Sequence, residues 1–404
     1  MGSPLSSEGG SRDRRLSIPP DRRVSAGKST NPAPSTITIL PVPPVHAVDS
    51  PSASRELRHP GPREPTTPTT RILPLLFLIL FAAIFPEVLS GSTPPLVLLT
   101  HPLGFLLLVA EYGGGAVLVW EALARWRKGW LAVLPLGAAY GIAEEGLATK
   151  TFTDPHQQFV ITQIPGSYGS WGGVEWVSLT GIDPFHAAVS IGLGLLLLAL
   201  IYPEHKGRSI VSNRALALIG TAFVADVTLQ FFTVDPEPIL SLWPALTFIG
   251  ILGIVLIVAG WRLPRDFLSS LMRSPVPTSR PRAFFAVAFG WLLSLLAVYT
   301  LGSHIVPWAG VLIVFFLASG AASLYFVLTR SGWRENRAHQ VAFVGGFAGA
   351  FLVWDVLLEL LGHVGVLAFS AIFVALVIWL WRSARGSLAP PDGGRSRVNN
   401  PGPS

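Results

Sequence analysis

Apolar residues in this chain fall into ten runs, each close to the roughly twenty residues a helix needs to cross a hydrocarbon core. The runs lie at 72–91, 96–121, 130–149, 183–202, 214–232, 239–261, 283–301, 306–328, 341–361 and 364–381, with polar or basic stretches between them. Residues 1–71 are rich in Ser, Pro, Arg and Thr and show no helical period, so they are expected to form a disordered, basic tail. Residues 72–382 form the membrane domain. The Gly- and Pro-rich 383–404 form a second disordered tail. The expected fold is an all-α, polytopic membrane helix bundle of about ten transmembrane helices, the form that satisfies backbone groups inside lipid.

Composition supports this pattern. The chain is 50% hydrophobic and only 13% charged over 404 residues, too apolar and too charge-poor for a soluble protein of that length. Its net charge of +6 is a topology signal, and no nucleic-acid partner is expected. Starting from a cytoplasmic N-terminus and alternating sides leaves Lys150 as the one basic residue in an outer loop, of 29 Lys and Arg. Both termini are therefore expected in the cytoplasm of a cell-membrane protein whose principal partner is the lipid bilayer. No cleavable leader is evident before the first run, which would serve as its own targeting signal. The absence of cysteine removes disulfides, thiolate metal sites and cysteine nucleophiles.

Ionisable residues inside the runs carry the candidate chemistry. A single acid at mid-bilayer costs roughly 2.5–3.5 kcal/mol on insertion scales, and Glu144 and Glu145 are adjacent, so they also repel one another. His186 opens the fourth run just after Asp183, and Asp226 lies on the outer half of the fifth. Asp355, Glu359 and His363 follow at steps of four, which keeps them near one helix face. In the alternating topology all of these fall in the outer half, with Glu111 of the second run nearer the middle. They are expected to meet in a polar cavity that opens outward. Glu144, Glu145 and His186 would be catalytic there, and Asp226, Asp355, Glu359 and His363 supporting. Plainer roles stand beside these. Asp183, before Pro184, reads as a helix N-cap, and Asp226 as an interhelical contact. Gly113, Gly114 and Gly115 read as a close helix contact or a local break. The long connection 150–182, with Tyr168, Trp171 and Trp176, reads as a lid or an aromatic interfacial anchor.

Three chemistries fit such a cavity, and none names a substrate. Carboxylate and imidazole can activate water for hydrolysis, with a glutamate as general base and a histidine on the oxyanion. They can hold a divalent metal, the one cofactor these donors suit, with zinc, manganese or iron accepting oxygen and imidazole ligands; Asp355, Glu359 and His363 could donate from one face. They can also relay protons or bind a cation in a transporter. A multi-pass protein without catalysis is the remaining reading. The chain has no phosphate-cradling Gly loop, no Gly-x-Ser-x-Gly elbow and no His-Glu-x-x-His.

The Glu144–Glu145 pair at the end of one membrane helix, followed by His186 on a later one, resembles the CAAX-prenyl-protease and bacteriocin-processing family of intramembrane proteases. It is similar, too, to the glutamic-type membrane peptidases that process anti-sigma factors. The resemblance covers about fifteen residues and implies an intramembrane peptidase using these three side chains. The family's arginine, four residues after its second glutamate, is Thr149 here, with Lys150 beside it. Ile182 stands at the phenylalanine of its Phe-x-x-x-His motif, and Ser190 closes the His-x-x-x position where the family has Asn or Asp.

Overall fold

A computed structural model describes residues 69–154, 168–234, 239–265, 280–330, 333 and 336–386. The expected disordered tails thus lie almost wholly outside the described residues, as do His156 and much of the 150–182 connection. Among the described residues, ten helices are long and apolar enough to span a membrane. They are α1 (Arg71–Ser90), α2 (Pro102–Arg125), α3 (Trp130–Ala148), α4 (Trp176–Ile201), α5 (Asn213–Thr233), α6 (Trp243–Arg262), α7 (Pro281–Ile305), α8 (Ala309–Thr329), α9 (Arg337–Leu360) and α10 (Val366–Ala384). The chain is an all-α, multi-pass membrane protein.

Two boundaries differ from expectation, each for a local reason. The second apolar run is broken: a short helix, Pro95–Thr100, ends at His101, and α2 restarts at Pro102. Proline lacks an N–H and pushes the preceding residue out of the helical region, and His101 sits at φ −121°, ψ 75°. The fourth span begins at Trp176, directly after a two-stranded hairpin pairing Ser170–Trp171 with Val174–Glu175. Asp183 is therefore inside α4 and does not cap it. Outside the spans, burial at the foot of α4 pushes the Glu175 carboxyl above its usual range.

The bundle has a buried centre and a lipid-facing shell. About 72% of α4's apolar window is buried inside the molecule, against 6% for α5. α4 contributes to two cores at once. Val189, Leu193, Leu196 and Leu197 pack with α7, α9 and α10, while Ile191, Leu195 and Leu198 pack with α1, α2 and α3. A ladder of rings at steps of four, Phe77, Phe81 and Phe85, runs up α1, and Phe373 of α10 meets Phe81 and Phe85 at 5.8 and 5.9 Å. With no hydrophobic drive between helices in lipid, close backbone approach does much of the holding. At Gly346 of α9 an added Cβ would stand 2.3 Å from the Phe285 carbonyl oxygen of α7. Gly346→Ala is therefore expected to destabilise the α7–α9 contact by about 1–3 kcal/mol. Gly250→Ala, where a Cβ meets nothing within 4 Å, should leave the unfolding temperature in detergent unchanged or slightly raised.

Candidate functional site

The three helices that carry the key polar residues each open into a wide turn with i→i+5 hydrogen bonding at those residues. The wide turns are Val109–Gly113 in α2, Ile142–Ala148 in α3 and His186–Leu193 in α4. In α3 the Thr149 N–H reaches back to the Glu144 carbonyl at 2.9 Å. Such bulges re-aim side chains and are frequent at functional sites. Pro184, which has no N–H to donate, precedes the one in α4.

Glycines of α3 bring the two main helices together. An added Cβ at Gly137 would lie 2.8 Å from the Ala187 Cα, and one at Gly141 would lie 2.6 Å from Asp183 Oδ1 and 3.0 Å from the His186 Cβ. In the space this leaves, Glu145 Oε1 meets His186 Nε2 at 3.2 Å. Glu144 Oε2 stands 3.0 Å from His186 Nδ1, yet it has no hydrogen-bond partner. The Ser190 hydroxyl lies 3.1 Å from the same Nδ1. The Tyr112 hydroxyl donates to Glu144 Oε1, and the Thr149 hydroxyl donates to Glu145 Oε2 at 3.2 Å. Rings of Tyr112, Tyr140 and Phe185 enclose the imidazole. Glu144, Glu145 and His186 are only 3–4% exposed.

The cluster forms one wall of a cavity of about 350 Å³. Glu87, Glu111, Gln230, Tyr299 and Trp354 are among its other polar and aromatic lining residues. These residues come from the C-terminal halves of α1, α5, α7 and α9, the middle of α2 and the first half of α4, so the cavity sits toward one end of the bundle. Gln230 Nε2 donates to Glu111 Oε2 at 2.8 Å and to Asp226 Oδ2 at 3.0 Å. Asp226 thus stands one residue behind the wall.

The structure brings Glu144, Glu145 and His186 into contact and places Asp226 next to the cavity through Gln230. Asp355, Glu359 and His363 go elsewhere. Their shared face on α9 meets α10: Ser370 donates to Asp355 Oδ2, and Glu359 accepts from the backbone N–H groups of Gly365 and Leu367 at 2.9 and 3.2 Å. His363 lies in the turn between these helices. The α9 residue facing the cavity is Trp354, whose indole N–H donates to the Ser90 carbonyl at 3.2 Å. Sequence reasoning did not single out Tyr112, Tyr140 or Glu87 as site residues. Tyr140 does lie one helical turn before Glu144 and Tyr112 directly after Glu111, which is the signal that could have found the two rings.

Lys150, buried and at φ 62°, closes the neighbouring helix end. Its Nζ donates to the carbonyls of Phe231 at 3.0 Å and Val234 at 2.5 Å, just past Gln230 on α5. Lys150→Met is expected to cost about 2 kcal/mol, the worth of hydrogen bonds to a charged donor. Faster amide hydrogen exchange confined to the last turn of α5 would show it.

Fold and site together define a multi-pass membrane protein with a buried carboxylate–imidazole cluster. No known family profile matches the chain, and no solved structure matches it. It is similar to a protoheme IX farnesyltransferase of Methylocella silvestris, 31% identical over 107 residues, which is 26% of this chain and 32% of that protein. The chain thus matches about a third of that relative's length.

Proposed function

We propose that the protein is an intramembrane hydrolase of the peptidase type, acting at Glu144, Glu145 and His186. One observation carries this reading: a buried carboxylate oxygen, Glu144 Oε2, has no hydrogen-bond partner, stands 3.0 Å from an imidazole, and belongs to a residue lining a cavity of about 350 Å³. Glu144 takes a proton from a cavity water, and the resulting hydroxide adds to the carbonyl carbon of the scissile bond. His186, held by Ser190 at Nδ1, transfers its Nε2–H hydrogen bond from Glu145 to the oxyanion of the adduct. The adduct collapses as Glu144 returns its proton to the leaving group. The basic loops at the opposite end of the bundle support a reading in which the cavity opens on the outer side of the cell membrane and both termini lie in the cytoplasm.

A proton- or cation-coupled transporter is the second reading. The row Glu111–Gln230–Asp226, leading away from the cavity toward α5, favours it. The similarity to protoheme IX farnesyltransferase chooses neither reading. Protein reconstituted in liposomes separates them. Cleavage of transmembrane peptide substrates without pH-gradient-driven flux supports the hydrolase, and flux without cleavage supports the transporter.

A further inference from the structure

We infer that the cavity binds one divalent transition-metal ion through Glu144, Glu145 and His186. The cavity's charge is unbalanced. Its described lining residues include four glutamates, Glu87, Glu111, Glu144 and Glu145, with His186 and no lysine or arginine. All four glutamates are at most 8% exposed. Lys150, between the lining residues Thr149 and Thr151, donates to the carbonyls of Phe231 and Val234. Buried carboxylates in such excess need a counter-cation or bound protons.

Geometry favours a metal ion. One oxygen of each adjacent glutamate and a ring nitrogen of His186 lie within 4.8 Å of one another. Glu145 Oε1 and His186 Nε2 are 3.2 Å apart, the spacing of neighbouring ligands bound at about 2 Å. The outward atoms are already held. Tyr112 holds Glu144 Oε1, Thr149 holds Glu145 Oε2, and Ser190 bonds His186 Nδ1. Supporting hydrogen bonds of this kind orient the ligands of metal sites. Glu145 Oε1 and His186 Nε2 are left to face an ion, and the unpartnered Glu144 Oε2 stands beside the same ring, 3.0 Å from Nδ1. Independently of these three, Glu111 Oε1 is a buried, unpartnered acceptor on the same cavity, able to receive a hydrogen bond from a metal-bound water. Two carboxylates with one imidazole suit zinc, manganese or iron(II). The inference does not rest on the hydrolytic reading, because occupancy is measured without substrate.

The test uses the full chain in detergent, stripped with a chelator and reloaded separately with Mn²⁺ and Co²⁺. Elemental analysis should give one ion per chain, and Co²⁺ should show visible bands of mixed oxygen and nitrogen ligation. Glu145→Gln and His186→Ala should weaken uptake by about 10- to 100-fold or more. Glu359→Gln, in the last turn of α9, should not. Added Mn²⁺ should raise the unfolding temperature of the wild type and leave that of Glu145→Gln unmoved, which separates a lost site from a misfolded variant. Failure of the folded wild type to take up either ion stoichiometrically would overturn the proposal. So would uptake equal in wild type, Glu145→Gln and His186→Ala, or uptake lost with Glu359→Gln alone. If binding holds and no peptide is cleaved, the metal site stands and the hydrolase reading falls.

Discussion

Glu144→Gln is expected to lower peptide cleavage by about 10²- to 10⁴-fold, the range a positioned general base supplies. The substitution is nearly isosteric. Its amide oxygen can still accept from Tyr112, which holds Glu144 Oε1 in the wild type, so the helices around the site should keep their packing. What is lost is the unpartnered Oε2 beside His186 Nδ1 as a proton acceptor. Single-turnover cleavage in proteoliposomes, compared with circular dichroism of the same preparation, separates lost chemistry from lost fold. Tyr112→Phe should give a smaller loss, since it removes the group orienting the base and leaves the base in place. Full activity in Glu144→Gln would take this carboxylate out of the mechanism.

The largest stability effect is expected far from the site, at Glu121 of α2. This carboxylate is fully buried and accepts four hydrogen bonds. Arg125 Nε donates at 2.7 Å, the Ser209 hydroxyl at 2.6 Å, and the backbone N–H groups of Ile210 and Val211 at 2.7 and 3.2 Å. It pins the connection between α4 and α5 against the end of α2. Glu121→Ala strands two buried N–H groups, each costing about 1–3 kcal/mol, and removes one of several partners of the partly exposed Arg125. Thermal unfolding in detergent should show the loss, while cleavage per folded molecule stays unchanged. Glu121→Gln should recover only part of it, because an amide N–H₂ would face backbone donors.

These two glutamates differ in how readable they were from the chain. Glu144 stood out because two adjacent acids within an apolar run are hard to explain by packing. Glu121 sits close to Arg125 at the end of its run and looks like an ordinary helix-end pair, since its loop partners lie some ninety positions away. The Asp355, Glu359 and His363 series shows a different limit. Spacing by four established that they share a face, and it could not say which neighbour that face meets. The neighbour is α10, whose Ser370 and whose first turn take up the two acids.

Sequence by itself determined the ten spans and the nearness of the Glu pair to a helix end, because these depend on apolar run length and local order. Tertiary structure decided which acids share a cavity. That choice turns on glycine contacts such as Gly137 against Ala187 and on wide helical turns that rotate Glu111, Glu144, Glu145 and His186. Both depend on which helices pack together, a non-local property that no hydrophobic period records.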